Sequence, residues 1–134
     1  MTRRHYASGV VQFLTDEWIS ALDHAASAQR SPLSETFVIE YRVQLENDGL
    51  FVYQVRFDDD AIAVTTGADS TPTIVLSTDR ATALGVATNT VSAQAAFMAG
   101  QLRLDGDTMA LVRNHEALAN LEAIFAGVRS ATEY

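Results

Sequence analysis

The sequence has no cysteine, and only two of its 134 residues are proline. Without cysteine there can be no disulfide, no thiolate metal site and no cysteine nucleophile. Two prolines and seven glycines are too few for a long flexible or proline-rich linker. No apolar run reaches the roughly eighteen residues of a membrane-spanning helix. These absences predict a single globular domain over residues 1–134, with its core at about 13–128.

Positive charge is also scarce, since 9 Lys+Arg face 17 Asp+Glu and the net charge is −8. Phosphate contacts need a basic patch, so we predict no nucleic-acid partner. The same charge disfavours docking on anionic lipids, and no stable membrane insertion is expected. All nine basic residues are arginine, which is typical of a high-GC bacterial genome. The segment Thr2–Tyr6 is faintly similar to a twin-arginine signal, but the apolar run after it is too short, and a cytoplasmic location is expected.

Hydrophobic periodicity predicts an α+β fold with a five-stranded sheet, in the order α-βββ-crossover-β-α-β-α. The predicted helices are residues 16–28, a short helix capped by Thr78, one that begins after Ser92 and is stopped by Gly100, one capped by Asp107, and 115–128. The predicted strands are residues 36–46, 50–57, 61–66, 73–77 and 101–105. One sheet face is predicted to be apolar and covered by the helices. The other is predicted to be solvated and carries Glu40, Arg42, Gln44, Gln54, Arg56 and Arg103.

Residues that could carry chemistry are few. His5, His24 and His115 have no metal-ligand spacing, and each is interpreted as a surface residue. Asp58–Asp60 lacks the alternating acids and the distal glutamate of a calcium loop, so we interpret it as a turn. There is no nucleophile elbow and no phosphate-binding glycine loop. We therefore predict no catalytic residue, no metal site and no cofactor.

The most distinctive segment is apolar. Residues 95–107 join a helix of small residues to a strand and a further capped helix, with Phe97 and Met98 among several alanines. Methionine is adaptable and suits a site that holds irregular apolar ligands. Plain core packing is the alternative interpretation of the same stripe.

The stretch from Ser92 to Asp107 resembles the hallmark of the sterol carrier protein type two family, an A-F-M-x-G-x-[LI]-x-[LVI]-x-G-D pattern that begins here at Ala96. Residues 72–79 resemble the short strand that precedes the family's crossover helix. Residues 13–18 resemble the first helix of its small bacterial members. The resemblance covers about residues 13–128.

This resemblance implies helices on one face of a five-stranded sheet, with an apolar tunnel between them that carries fatty acids, sterols or other lipids. On family position, nine residues are expected around the ligand: Phe97, Met98, Leu102, Leu104, Met109, Leu118, Leu121, Ile124 and Phe125. Residues 87–92 depart from the family's usual Gly-x-[LIV]-x-Pro run. The absence of lysine and the acidic charge argue against an acyl-CoA phosphate as ligand.

Three functions stay open at this point. A non-enzymatic lipid carrier predicts an apolar cavity of several hundred Å³. An enzyme on the same scaffold predicts a polar group of perturbed pKa inside that cavity, for which Tyr41, Tyr53 and Arg113 are the candidates. An accessory module, for example a homodimer, predicts a filled core and a large apolar surface.

Overall fold

The computed structural model describes residues 11–31 and 35–134, except for the side chain of Leu118. The N-terminal segment Thr2–Tyr6, with His5, lies outside the described residues. So do positions 32–34, part of the Ser31–Ser34 segment whose sequence predicts the end of the first helix.

The helices and the strands of the main sheet follow one another along the described chain in the predicted order. The helices are α1 (Asp16–Ser27), α2 (Arg80–Ala87), α3 (Ala93–Met98), α4 (Met109–Arg113) and α5 (His115–Arg129). The strands are β1 (Val11–Gln12), β2 (Phe37–Gln44), β3 (Leu50–Phe57), β4 (Ile62–Thr66), β5 (Ile74–Asp79), β6 (Leu102–Gly106) and β7 (Thr132–Glu133). The α+β fold and the five strands of the main sheet are confirmed. Two elements were not predicted: β1 and β7, which pair in parallel and join the two ends of the described chain.

The main sheet has the strand order β4-β3-β2-β5-β6. Strands β2, β3 and β4 form an antiparallel meander. The Asn47–Gly49 segment, whose sequence predicts a hairpin turn, closes its first hairpin with Asp48 at a φ of +68°. The chain then crosses over, so β5 pairs in parallel with β2. Because paired residues share a face, Tyr41 of β2 lies beside Tyr53 of β3 on one side and Leu76 of β5 on the other.

The inner face of this sheet packs on the helices and forms the core. Leu22 and Ala26 of α1 and Ile124 of α5 meet Phe37 and Phe57 in one buried cluster. A side chain of α1 also bonds the sheet edge, where the Asp23 carboxylate accepts from the Val64 backbone N–H at 2.8 Å. The burial of one face of each element supplies most of the stabilisation of such a fold.

The outer face of the sheet is only partly solvated, and here the prediction was wrong for two residues. Glu40 and Gln54 are 1% and 2% exposed. The segment between β4 and β5 covers them, since the Gln54 side chain both donates to the Ser70 carbonyl and accepts from its N–H. The other four predicted residues, Arg42, Gln44, Arg56 and Arg103, are exposed.

Two helix starts also differ from the prediction. Asp79, rather than Thr78, caps α2 by accepting from the Thr82 N–H at 2.7 Å, and the helix continues through Gly85. Asp107 does not cap the next helix through its side chain, which pairs with Arg113 at 3.2 Å. Ser92, after which a helix is predicted to begin, caps α3 by accepting from the Ala95 N–H at 3.0 Å.

Candidate functional site

A cavity of about 310 Å³ lies between the inner face of the sheet and the helices. Protein interiors are normally filled almost without voids, so an opening of this size calls for an explanation. Its volume is at the lower end of the range usual for small-molecule sites. The residues that line it are Phe13, Trp18, Tyr41, Val43, Tyr53, Leu76, Thr78, Thr82, Ala83, Val86, Ala87, Ala93, Leu102, Leu121, Glu122, Phe125 and Arg129.

The wall of the cavity is apolar because of the strand period. Alternate residues of each strand point to one face, so the sheet contributes Val43, Leu76 and Leu102 in successive strands. The helices opposite contribute small residues, among them Ala83 and Ala87 of α2. Alanines here leave the space open, where larger side chains would fill it.

An aromatic cluster forms one side of the cavity. The Tyr41 and Tyr53 rings are stacked, with centroids 4.6 Å apart and planes at 4°. The Trp18 ring meets Tyr53 edge to face at 5.4 Å, and Phe125 meets Tyr41 in the same way at 6.3 Å. Such contacts fix the rings relative to each other, so this wall is preformed.

Burial raises the pKa of both tyrosines above the ordinary value, and a charge on Tyr41 would raise that of Tyr53 further. The phenols are therefore neutral hydrogen-bond donors over the physiological pH range. In the described part of the chain neither hydroxyl makes a hydrogen bond.

These raised pKa values predict a loss of stability in alkali. The unfolded chain ionises its tyrosines near pH 10, whereas the folded chain keeps Tyr41 and Tyr53 protonated. Stability from these groups is complete below pH 10 and falls as the pH rises further, by about 1.4 kcal/mol per pH unit for each tyrosine. We expect the larger share from Tyr53, which is 4% exposed, than from the partly exposed Tyr41.

Urea unfolding at about pH 8.5, 10 and 11.5 measures this loss. Tyr53→Phe removes one ionisable group and should give a shallower fall above about pH 10, with little change at the lowest pH. An equal slope for both proteins would contradict the assignment.

Charged side chains reach the cavity only from α5, among the residues the structure describes. Arg129 donates from Nε to the Ala87 carbonyl at 2.7 Å and from Nη2 to Glu122 at 3.3 Å. The arginine thus ties α5 to the end of α2 and has its charge balanced by the carboxylate. Because Glu122 is exposed, this pair places the polar part of the lining toward solvent.

Three of the nine residues expected around a ligand line the cavity: Leu102, Leu121 and Phe125. Ile124 and Leu104 do not line the cavity. Ile124 belongs to the buried core cluster, and the partly buried Leu104 packs against that cluster. Phe97, Met98 and Met109 are 50%, 78% and 61% exposed and do not line it. The side chain of Leu118 lies outside the described residues. A ligand-binding role for the nine stays a prediction.

The sheet residues of the cavity were not among those nine. Val43 and Leu76 occupy inward positions of predicted strands, and alternation alone could have placed them facing the helices. Tyr41 and Tyr53 were predicted only as candidates for an enzyme, and both line the cavity. Arg113, the third such candidate, lies on α4 in an ion pair with Asp107 and does not line it.

Other kinds of site find little support. Among the described residues, no three His, Asp or Glu side chains are grouped as a metal site would need. His24 and His115 are exposed, and residues 58–60 form the predicted turn, in which the Asp58 N–H bonds the Ala61 carbonyl. No helix in the described ranges is both long and apolar enough to cross a membrane.

The fold and its cavity define a class: small α+β domains with an open interior between sheet and helices. A model of the SCP-2 sterol transfer family matches residues 19–119, more than half of the chain. The chain belongs to this family, as the hallmark segment predicted. A search of curated protein sequences finds no match.

Solved structures support the same fold at low sequence identity. A conserved hypothetical protein from Thermus thermophilus is 16% identical, with a TM-score of 0.62 and 91% of each chain covered. Palmitated sterol carrier protein 2 like 2 from Aedes aegypti is 17% identical, with a TM-score of 0.60 over 75% of this chain and 89% of that one. Sterol carrier protein 2 like 3 from the same organism is 21% identical, with a TM-score of 0.54 over 78% and 96%.

Proposed function

We propose that this protein binds a hydrophobic small molecule in its cavity and carries it without chemical change. The observation behind the proposal is the cavity itself, about 310 Å³ of space lined mainly by apolar side chains in a protein of the sterol transfer family. A cytoplasmic location and a homodimer stay predictions.

The cavity volume limits the ligand. Taking about 30 Å³ for each water-sized group, 310 Å³ holds about ten methylene groups or their equivalent. A medium-length acyl or alkyl chain fits this space, whereas a whole sterol requires the helices to move apart or part of the ligand to stay outside. Burial of ten methylenes is worth about 8 kcal/mol at most, before the cost of association.

An enzyme on the same scaffold is the second candidate, because both tyrosines that the sequence offers as polar groups for it line the cavity. Their raised pKa values mean that neither phenol can act as a base near neutrality, although both can donate hydrogen bonds. The carboxylate in the lining, Glu122, is paired with Arg129. A donor pair without a free base suits ligand recognition better than proton abstraction.

Native mass spectrometry of the freshly purified protein, followed by organic extraction, tests the proposal. We expect an added mass that organic solvent removes and that corresponds to a fatty acid or another molecule with a short apolar chain. A protein that stays at its bare mass after incubation with C8 to C16 fatty acids and sterols would contradict a carrier function. Conversion of a bound compound on incubation would favour the enzyme.

A further inference from the structure

Tyr41 and Tyr53 form a pair of neutral donors in a cavity wall that is mainly apolar. They are direct partners across β2 and β3, on the same sheet face, and their rings are parallel. Side chains that leave neighbouring strands in parallel carry their terminal atoms on the same side, so the two hydroxyls are neighbours. The electrostatic influence of Tyr41 on the pKa of Tyr53 reflects this proximity.

The two hydroxyls have no structural use in the described part of the chain. Tyr53 is 4% exposed, and neither phenol oxygen has a hydrogen-bond partner there. The two oxygens are not among the buried unpartnered atoms of the described residues, so they open onto the cavity rather than being sealed in the core. A donor that opens into a mainly apolar space loses a hydrogen bond whenever an apolar group displaces water from it, a cost that phenylalanine would not have. Both residues line the cavity, so their partner is water when the cavity is empty and an oxygen of the ligand when it is filled.

We infer that the Tyr41 and Tyr53 hydroxyls together donate hydrogen bonds to an oxygen of the ligand, a hydroxyl or carbonyl attached to its apolar chain. This inference rests on the proposed function and narrows it, because it selects oxygenated chains over plain hydrocarbons. An oxygen with two lone pairs can accept from both phenols at once. A hydrocarbon in the same place leaves both donors unsatisfied.

The expected difference in affinity between oxygenated and hydrocarbon ligands follows from the usual strength of a neutral hydrogen bond. Loss of one neutral hydrogen bond weakens affinity between about twofold and tenfold. We therefore expect Tyr53→Phe and Tyr41→Phe each to weaken binding of an oxygenated ligand by about fivefold, and the double variant by more than about tenfold. Binding of a hydrocarbon should change less than about twofold or improve.

Trp18 gives a direct readout, because it is the sole tryptophan of the chain and lines the cavity. Its fluorescence is titrated with three probes of ten carbons: 1-decanol, 2-decanone and butylbenzene. The proteins are the wild type, the two single variants and the double variant. Tyr134→Phe is the matched control, since Tyr134 is partly buried but does not line the cavity.

Weaker binding of decanol and decanone with unchanged binding of butylbenzene supports the inference. If only one oxygenated probe is affected, the inference holds and the ligand oxygen is identified as hydroxyl or carbonyl. Equal changes for all three probes, or none for any, would overturn it while leaving the carrier function intact. Failure of every probe to bind the wild type would instead overturn the carrier function, and this inference with it.

Discussion

Ala83→Phe is expected to weaken ligand binding about a hundredfold or more. Ala83 lines the cavity from α2, opposite the sheet, and its small side chain leaves the space open. A cavity of about 150 Å³ is enough to hold a benzene molecule. The added ring would therefore occupy about half of the 310 Å³.

The loss follows from the volume. Half of the cavity accommodates about five methylenes of the ligand, and at about 0.8 kcal/mol each their exclusion costs about 4 kcal/mol of affinity. That figure corresponds to a dissociation constant raised more than about a hundredfold. Titration of the Trp18 fluorescence with 1-decanol measures it.

Ala81→Phe is the matched control. Ala81 lies on the same helix but is exposed and does not line the cavity, so the same ring there should leave binding within about twofold of the wild type. Equal binding by the two variants would mean that the ligand site is elsewhere. The unfolding midpoints of both variants should be compared first, because an overpacked core lowers stability by about 1–3 kcal/mol.

The fold could be predicted because its signals are local. The alternation of residues 36–46 and the Asn47–Gly49 turn specify the first hairpin, and the hallmark segment places α3 before β6. Two-residue strands carry no such periodicity, which is why β1 and β7 could not be predicted.

The cavity could be predicted less well, since a hydrophobic pattern marks apolar residues without telling which of them leave space unfilled. α3 has six residues and buries only Ala96, so its large neighbours Phe97 and Met98 stay exposed. On the sheet, inward positions such as Val43 and Leu76 do line the cavity, together with alanines of the helices such as Ala83 and Ala87. Which helix carries those alanines depends on packing between distant segments, which a single sequence does not reveal.

The burial of Glu40 has a similar cause. Its alternation with apolar neighbours correctly placed it on the outer face of β2. The return of residues 67–73 across that face is a tertiary event, which involves the Gln54 amide and the Thr73 side chain that accepts from the Val38 N–H. The hydrophobic pattern of the sequence does not indicate that this segment folds back over the sheet.

Gln54→Leu is expected to lower the free energy of unfolding by about 3 kcal/mol or more. The Gln54 amide donates to the Glu40 carboxylate at 2.9 Å and to the Ser70 carbonyl at 2.8 Å. Its carbonyl accepts from the Ser70 N–H at 3.1 Å. Leucine removes all three bonds and leaves a carboxylate that is 1% exposed with Arg42 as its remaining side-chain partner.

The size of this loss of stability follows from the Glu40 carboxylate, which stays buried after its partner is removed. A neutral hydrogen bond contributes about 0.5–1.5 kcal/mol and one to a charged group about 1.5–3, and a buried charge that loses a partner costs still more. Arg42 still pairs with Oε2 of Glu40 at 2.6 Å in the variant, and its own side chain is about half exposed. It does not replace the bond that Gln54 donates to Oε1 of Glu40. The loop at Ser70 loses its anchor at the same time.

Gln44→Leu gives the comparison on the same face of β2. Gln44 is exposed, and its single bond to the Gly49 carbonyl is replaced by water, so the change should cost less than about 1 kcal/mol. Urea unfolding near neutral pH measures both variants. A Gln54→Leu protein within about 1 kcal/mol of the wild type would mean that water, not Gln54, satisfies Glu40, and that the segment of residues 67–73 opens readily from the sheet.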